Sequence, residues 1–98
     1  MAEFLIWSDR AMREYEKLQA YLLREWGTVV ADRVDDEIER TIFRIKNHPE
    51  QFPVFIKAKK IRRCVASPQT SIFFKADKDA IEIVSVFDNR QNPKKRKL

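Results

Sequence analysis

Leu22-Leu-Arg-Glu-Trp-Gly-Thr-Val-Val30, LLREWGTVV, holds the only glycine of a 98-residue chain, and its reading decides the fold. Upstream, Ala11, Tyr15, Leu18, Leu22 and Trp26 recur at spacings of three or four and draw one apolar stripe down a helix. Arg13, Glu14, Glu16, Lys17 and Arg24 fill its other faces. Downstream, Ala31, Val34, Ile38, Ile42 and Ile45 draw a second stripe beside outward-facing Asp32, Asp35, Asp36, Glu39 and Arg40. Gly27 ends the first helix as its C′ residue and Thr28 can cap the second. The stretch therefore predicts two helices in a tight antiparallel hairpin.

Working outward, Ser8 stands where an N-cap belongs and Asp9 follows in the first turn, where the helix dipole favours an anion. Before it, Phe4 to Trp7 is a short strand signal, with Phe4 and Ile6 on one face and Leu5 and Trp7 on the other. Pro49 stops the second helix, and Asn47 to Pro53 reads as a turn-rich crossing that Phe52 and Phe55 can anchor. Three strands follow: Ile61 to Ser67, Ser71 to Ala76, and Ala80 to Phe87 or slightly beyond. Pro68-Gln69 and Asp77-Lys78-Asp79 are short enough to join them as hairpins. Alternation puts Ile72 and Phe74 on one face of their strand. On the last strand it groups Ile81, Ile83 and Phe87 against Val84 and Val86, which makes that strand apolar on both faces and central. The order β-α-α-β-β-β predicts an α+β fold, a helical hairpin packed on one face of a small, mainly antiparallel sheet. It is expected as one domain over residues 1–93 followed by a basic tail, 94–98, whose KKRK cluster has no fixed geometry.

Composition narrows the class. The chain is 44% hydrophobic and 36% charged, too apolar for disorder and too charged for a membrane protein, and no run reaches the roughly 18 apolar residues of a spanning helix. Acids flank the first apolar run and no basic leader precedes it, so it does not read as a secretory signal. Cys64 is the only cysteine, which excludes an internal disulfide; a cytoplasmic location is expected, with the thiol as a small buried residue. Residues 1–56 hold 8 Lys/Arg against 11 Asp/Glu, whereas residues 57–98 hold 12 against 4. A basic half of that kind attracts phosphate backbones or an acidic protein partner.

One His and one Cys cannot supply a usual metal ligand set, and a single glycine rules out glycine-rich phosphate loops, so no metal or cofactor is expected. The remaining chemistry is a set of cations. Lys57, Lys59 and Lys60 lead into Arg62 and Arg63 on a strand, Arg90 follows the last strand, and Lys94, Lys95, Arg96 and Lys97 close the chain. Single lysines at such places usually guard a sheet edge or solvate a tail. Arginine's planar fork suits phosphate and carboxylate, and Arg62, Arg63 and Arg90 stand on or just after strands. Alternation puts Arg62 and Arg63 on opposite faces, so one of the two can share a surface with Arg90. A phosphodiester-cleaving site would draw on Arg62, Arg63, Arg90 and Lys59 for charge stabilisation and on Asp88 or a lysine of shifted pKa as base, with Asp88 equally placed to cap the strand end or pair with Arg90. The expected binding surface comprises Lys57, Lys59, Lys60, Arg62, Arg63, Arg90, Lys94 and Lys95.

With the β-α-α-β-β-β order, the helix exit "NHPEQFPVF", the strand "IRRCV", the strand "SIFFKAD" and the closing "IEIVSVFDNRQNP", the chain resembles the RelE/ParE superfamily of type II toxin–antitoxin toxins, often called plasmid stabilisation proteins. The resemblance covers nearly the whole chain, and "FDNRQNP" is its most specific part. It implies a small growth-inhibiting toxin neutralised by a cognate antitoxin, acting either on DNA gyrase, as ParE-like members do, or as a ribosome-dependent mRNA endoribonuclease, as RelE-like members do. On this resemblance Arg62 or Arg63 matches the basic position of the second strand, and Arg90 matches the arginine after the last. Ser71 or Thr70 stands where ribosome-dependent members carry an arginine, and Gln91 to Leu98 contains neither Tyr nor His. Those departures tilt the reading toward a gyrase poison; a degenerate, non-toxic binding module is the third possibility.

Overall fold

The computed structural model describes residues 3–92, 94 and 96–98. Strand β1 (Phe4–Trp7) leads into helix α1 (Asp9–Trp26), Gly27 alone separates it from helix α2 (Thr28–Asn47), and a single 3-10 turn (Pro49–Gln51) begins the crossing to the rest of the sheet. The remaining strands are β2 (Val54–Ile56), β3 (Ile61–Ser67), β4 (Thr70–Ala76) and β5 (Ala80–Asp88). They form one five-stranded sheet in the order β1-β5-β4-β3-β2, with β1 parallel to β5 and every other pair antiparallel. The predicted α+β hairpin-on-sheet architecture is the one observed, with β5 inside the sheet.

The hairpin is built locally, as the sequence implies. Ser8 caps α1: its hydroxyl oxygen accepts from the Ala11 amide at 3.0 Å, and its own O–H donates to the Val84 carbonyl at 2.8 Å, tying the helix start to β5. Gly27 takes φ +86° and ψ 177°, a region closed to side chains that carry a Cβ, and donates back to Leu22 and Leu23. It also precedes α2 directly, so Thr28 is that helix's first residue and no side chain caps it. The expectation that Thr28 is the cap fails because the one-residue link leaves no extended position after the glycine.

Two further departures concern the sheet. Val54–Ile56, read as crossing, pairs with β3 as a short edge strand, and Pro53 just before it is compatible with an edge. More consequentially, β4 and β5 are in register from Thr70↔Asp88 to Phe73↔Ser85, but the next pair is Phe74↔Ile83, so Val84 is an extra residue on β5. A bulge flips every later side chain to the other face. Ile81, Ile83 and Val86 therefore pack under the helices with Ile72, Phe74, Ala11, Ile38, Ile42 and Ile45, while Val84 and Phe87 lie on the opposite face with Ile61 and Phe73. The grouping of Phe87 with Ile81 and Ile83 is overturned by that one residue. Cys64 is buried in the helix-side core, and burial pushes its thiol up, an effect that Arg44 partly opposes.

Glu14, on the polar side of α1 by periodicity, closes the β5 edge where β1 ends. Its Oε1 accepts the Ser85 hydroxyl at 2.7 Å and the Val86 amide at 3.3 Å, and Arg10 approaches it at 3.5 Å. An edge amide that no strand reaches is thus satisfied by a helix side chain. Among the described residues no helix is long and apolar enough to cross a membrane.

Candidate functional site

Helices cover one face of the sheet, so the face carrying Ile61, Phe73 and Phe87 is open apart from what the chain ends lay over it. Arg63 lies on this face. Its Nε donates to the Ser71 hydroxyl at 3.1 Å, and its guanidinium sits 5.9 Å from the rings of both Phe55 and Phe73. Those two rings are themselves 4.9 Å apart. Ser71 donates its own O–H to Asn89 Oδ1 at 2.8 Å, and the side-chain and main-chain N–H groups of Asn89 donate to the Pro68 and Gln69 carbonyls, so the "DNR" exit of β5 is pinned to the β3–β4 turn.

Arg96 joins Arg63 over the same rings, 5.2 Å from Phe55, 5.9 Å from Phe73 and 5.5 Å from Phe87, and Leu98 packs into the apolar cluster beside them. Lys59 Nζ donates to the Leu98 main-chain oxygen and Arg10 to that of Lys97. The final residues therefore lie back across the open face, against the expectation of a tail without geometry. Apolar Leu98 and the flat guanidinium of Arg96 gain more from the exposed aromatic face than from water. Arg96 was not among the expected site residues; a lone arginine in a run of lysines carries no positional signal until the rings beneath it are known. Lys94 is exposed, its amide bound to Asn92 Oδ1 at 3.0 Å, and Lys95 lies outside the described residues.

Lys57, Lys59 and Lys60 form the tight β2–β3 turn, closed by the Lys60 amide on the Lys57 carbonyl at 3.1 Å, with Lys60 in the left-handed region at φ +55°. Lys59 and Lys60 line, with Lys75, Asp77 and Glu82, a depression of about 510 Å³ at the edge of the open face. Arg62 faces the helix side, as alternation requires, and Nη1 donates to the Phe52 carbonyl at 2.6 Å, an anchor for the crossing.

Arg90 joins neither. It turns onto α1, 5.5 Å from the Tyr21 ring, and folds back on Asp88, with Nε 3.0 Å from Oδ1 and Nη2 2.8 Å from Oδ2. The Arg90 amide also donates to Asp88 Oδ1, at 2.9 Å. The hydrogen bonds from Arg90 hold the Asp88 carboxyl below its usual value, and the carboxylate raises Arg90. The expectation that Arg62 or Arg63 shares a surface with Arg90 is corrected: the three guanidiniums occupy three settings, because β5 ends on the helix side and Asp88 captures Arg90 two residues on. Neither Arg63 nor Arg96 pairs with an acid among the described residues. Two like charges held over one ring pair with no acid as counterion favour an anionic ligand.

Apart from Asp77 and Glu82 at the edge of the open face, the groups able to transfer protons lie elsewhere. Tyr15 packs on Trp7, Tyr21 lies under Arg90, and His48 ends α2. Asp88, held ionised by Arg90, is a weaker base than a free carboxylate.

A family model described as "ParE toxin of type II toxin-antitoxin system, parDE" matches residues 5–93. Among solved structures, the chain is similar to the chromosomal ParDE system of P. aeruginosa, with a TM-score of 0.72 and 14% identity over 87% of this chain and 94% of that one. It is also similar to a YoeB/ParE toxin from Agrobacterium tumefaciens, TM-score 0.64, 12% identity, 88% and 98% covered. A YoeB dimer from Staphylococcus aureus gives a TM-score of 0.63 at 12% identity, with 89% and 97% covered. No curated protein matches the chain in sequence.

Proposed function

The chain belongs to the ParE toxin family of type II toxin–antitoxin systems, and from that premise we propose that it inhibits growth by acting on DNA gyrase, and is held silent by its cognate antitoxin. The observation that carries the gyrase reading is the make-up of the open face. Cleaving RNA requires a base for the 2′-hydroxyl and an acid for the leaving oxygen. The open face offers Lys59, Arg63 and Arg96, with the carboxylates of Asp77 and Glu82 only at its edge in the lysine-lined depression, while both tyrosines sit on α1, His48 caps the end of α2 and Asp88 is engaged by Arg90. A cationic, aromatic-backed surface of this kind binds an anionic partner without cutting it.

One observation favours the RelE-like reading. Arg63 and Arg96 over a shared ring pair could cradle RNA phosphates in the ribosome. The two are separated by experiment. Purified chain added to gyrase and relaxed plasmid is expected to block supercoiling, with Arg63→Ala weakening the block and Arg90→Ala leaving it. Toeprinting on a defined message is expected to show no codon-phased cuts. Phased cuts with intact gyrase activity would reverse the assignment, and unchanged colony counts on induction would favour the non-toxic binding module.

A further inference from the structure

Arg63 is held by a run of side chains that ends on main-chain carbonyls, and every link in it has a fixed direction. Asn89 extends the pairing of β5 by one residue, its amide donating to the Gln69 carbonyl at 2.7 Å, and its Nδ2 donates to the Pro68 carbonyl at 3.4 Å. With that nitrogen committed to a carbonyl, Oδ1 must face the other way, toward Ser71. The single hydroxyl proton of Ser71 goes to Oδ1 at 2.8 Å, which leaves only lone pairs on Oγ. They accept the Arg63 Nε–H at 3.1 Å. Ser71 has no exposure, so water does not compete for that oxygen. Phe55 and Phe73, each 5.9 Å from the guanidinium, set its place over the sheet, and the relay sets its rotation.

Ser71 and Asn89 satisfy each other without an arginine, since the hydroxyl has its acceptor and the side-chain amide has its carbonyl. The bond to Nε is therefore not one the fold requires; what it supplies is an orientation for Arg63. A guanidinium grips an oxyanion side-on, through Nε and one terminal nitrogen, or end-on, through both terminal nitrogens. Ser71 occupies the side-on edge, and neither terminal nitrogen has an acceptor among the described residues. We propose that Ser71 and Asn89 are positioning residues of Arg63, which present its end-on fork to an oxyanion of the bound partner. The inference rests on the open face being the surface that works, and adds what aims its arginine. It also divides the "DNR" exit of β5: Asn89 turns to the open face and serves Arg63, while Arg90 turns to α1 and serves Asp88 and Tyr21.

Proton–nitrogen NMR of the purified full chain reads the relay without any target, with circular dichroism confirming that each variant is folded. The Arg63 Nε–H is expected to exchange with water at least about ten-fold more slowly than that of exposed Arg13, and Ser71→Ala and Asn89→Ala are each expected to abolish the difference. In the supercoiling assay each of the two raises the amount of chain needed for half-block by about five-fold or more. Arg63→Lys keeps the charge but has no Nε–H to be held, so it weakens the block to a similar degree, and adding Ser71→Ala to it changes nothing further. Should the wild-type chain leave gyrase untouched, the gyrase reading fails alone; the exchange measurement still decides the relay, and inorganic pyrophosphate titrated against the same resonance replaces the block as the measure of grip. Fast exchange at Arg63 in the wild type, slow exchange that survives both alanine changes, an Arg63→Lys chain as effective as wild type, or a Ser71→Ala effect undiminished in Arg63→Lys each overturns the positioning role.

Discussion

Removing the Glu14 carboxylate probes the joint between α1 and β5. In Glu14→Ala the Ser85 hydroxyl, on a residue with no exposure, and the Val86 amide both lose their acceptor, previously at 2.7 and 3.3 Å. A hydrogen bond to a charged group contributes about 1.5–3 kcal/mol, and a buried donor left alone costs about 1–3 kcal/mol. The 3.3 Å contact counts for less than the 2.7 Å one, and the partly exposed i,i+4 pair with Arg10 adds only about 0.3–0.5 kcal/mol. The expected loss is about 2–4 kcal/mol, a large share of the ~5–15 kcal/mol that holds a domain of this size. Urea titration followed by circular dichroism measures it, with the midpoint of thermal melting falling by at least about 10 °C. Glu14→Gln keeps an acceptor oxygen and is expected to cost about 1 kcal/mol. Ser85→Ala removes the orphan, so in the Glu14→Ala background it should cost less than in the wild type or restore stability, a coupling of about 1 kcal/mol. A Glu14→Ala variant within about 0.5 kcal/mol of wild type, or strict additivity with Ser85→Ala, would refute this account of the edge.

Gly27→Ala meets no atom within 4 Å of the new Cβ, so its cost is purely that of φ +86°; a destabilisation of about 1–3 kcal/mol in urea titration is expected, and a neutral result would mean the hairpin link relaxes. Because the folded Asp88 carboxyl sits below its usual value of 3.8, its contribution is fully present above that value and disappears as pH falls through the lower folded one. Asp88→Asn should therefore flatten the acid limb of stability against pH, by under about 1 kcal/mol since Arg90 is half exposed. Burial and the raised thiol should make Cys64 alkylation about ten-fold slower or more in native buffer than in urea, while equal rates would place the thiol at the surface.

Periodicity alone placed both helices, the break at Gly27, the Ser8 cap and four of the five strands, because those signals are local: a stripe of period 3.6, a left-handed turn, a hydroxyl before a helix. The short β2 escaped because three residues, Val54 to Ile56, become a strand only through pairing with β3. The partition of charge between the halves likewise pointed to a cationic face, and strand alternation correctly separated Arg62 from Arg63. What the sequence could not determine was which charges meet. Val84 is an ordinary β residue, yet as a bulge it exchanges the faces of Val86 and Phe87. Asp88 takes Arg90 out of the set that the chain order suggested, and Phe55 and Phe73, eighteen positions apart, gather Arg63 and Arg96 from segments more than thirty residues apart. A side chain's periodicity is carried by its own backbone, whereas the company it keeps depends on register between strands and on where a chain end finds apolar surface. Those are properties of the packed molecule, and only the tertiary structure holds them.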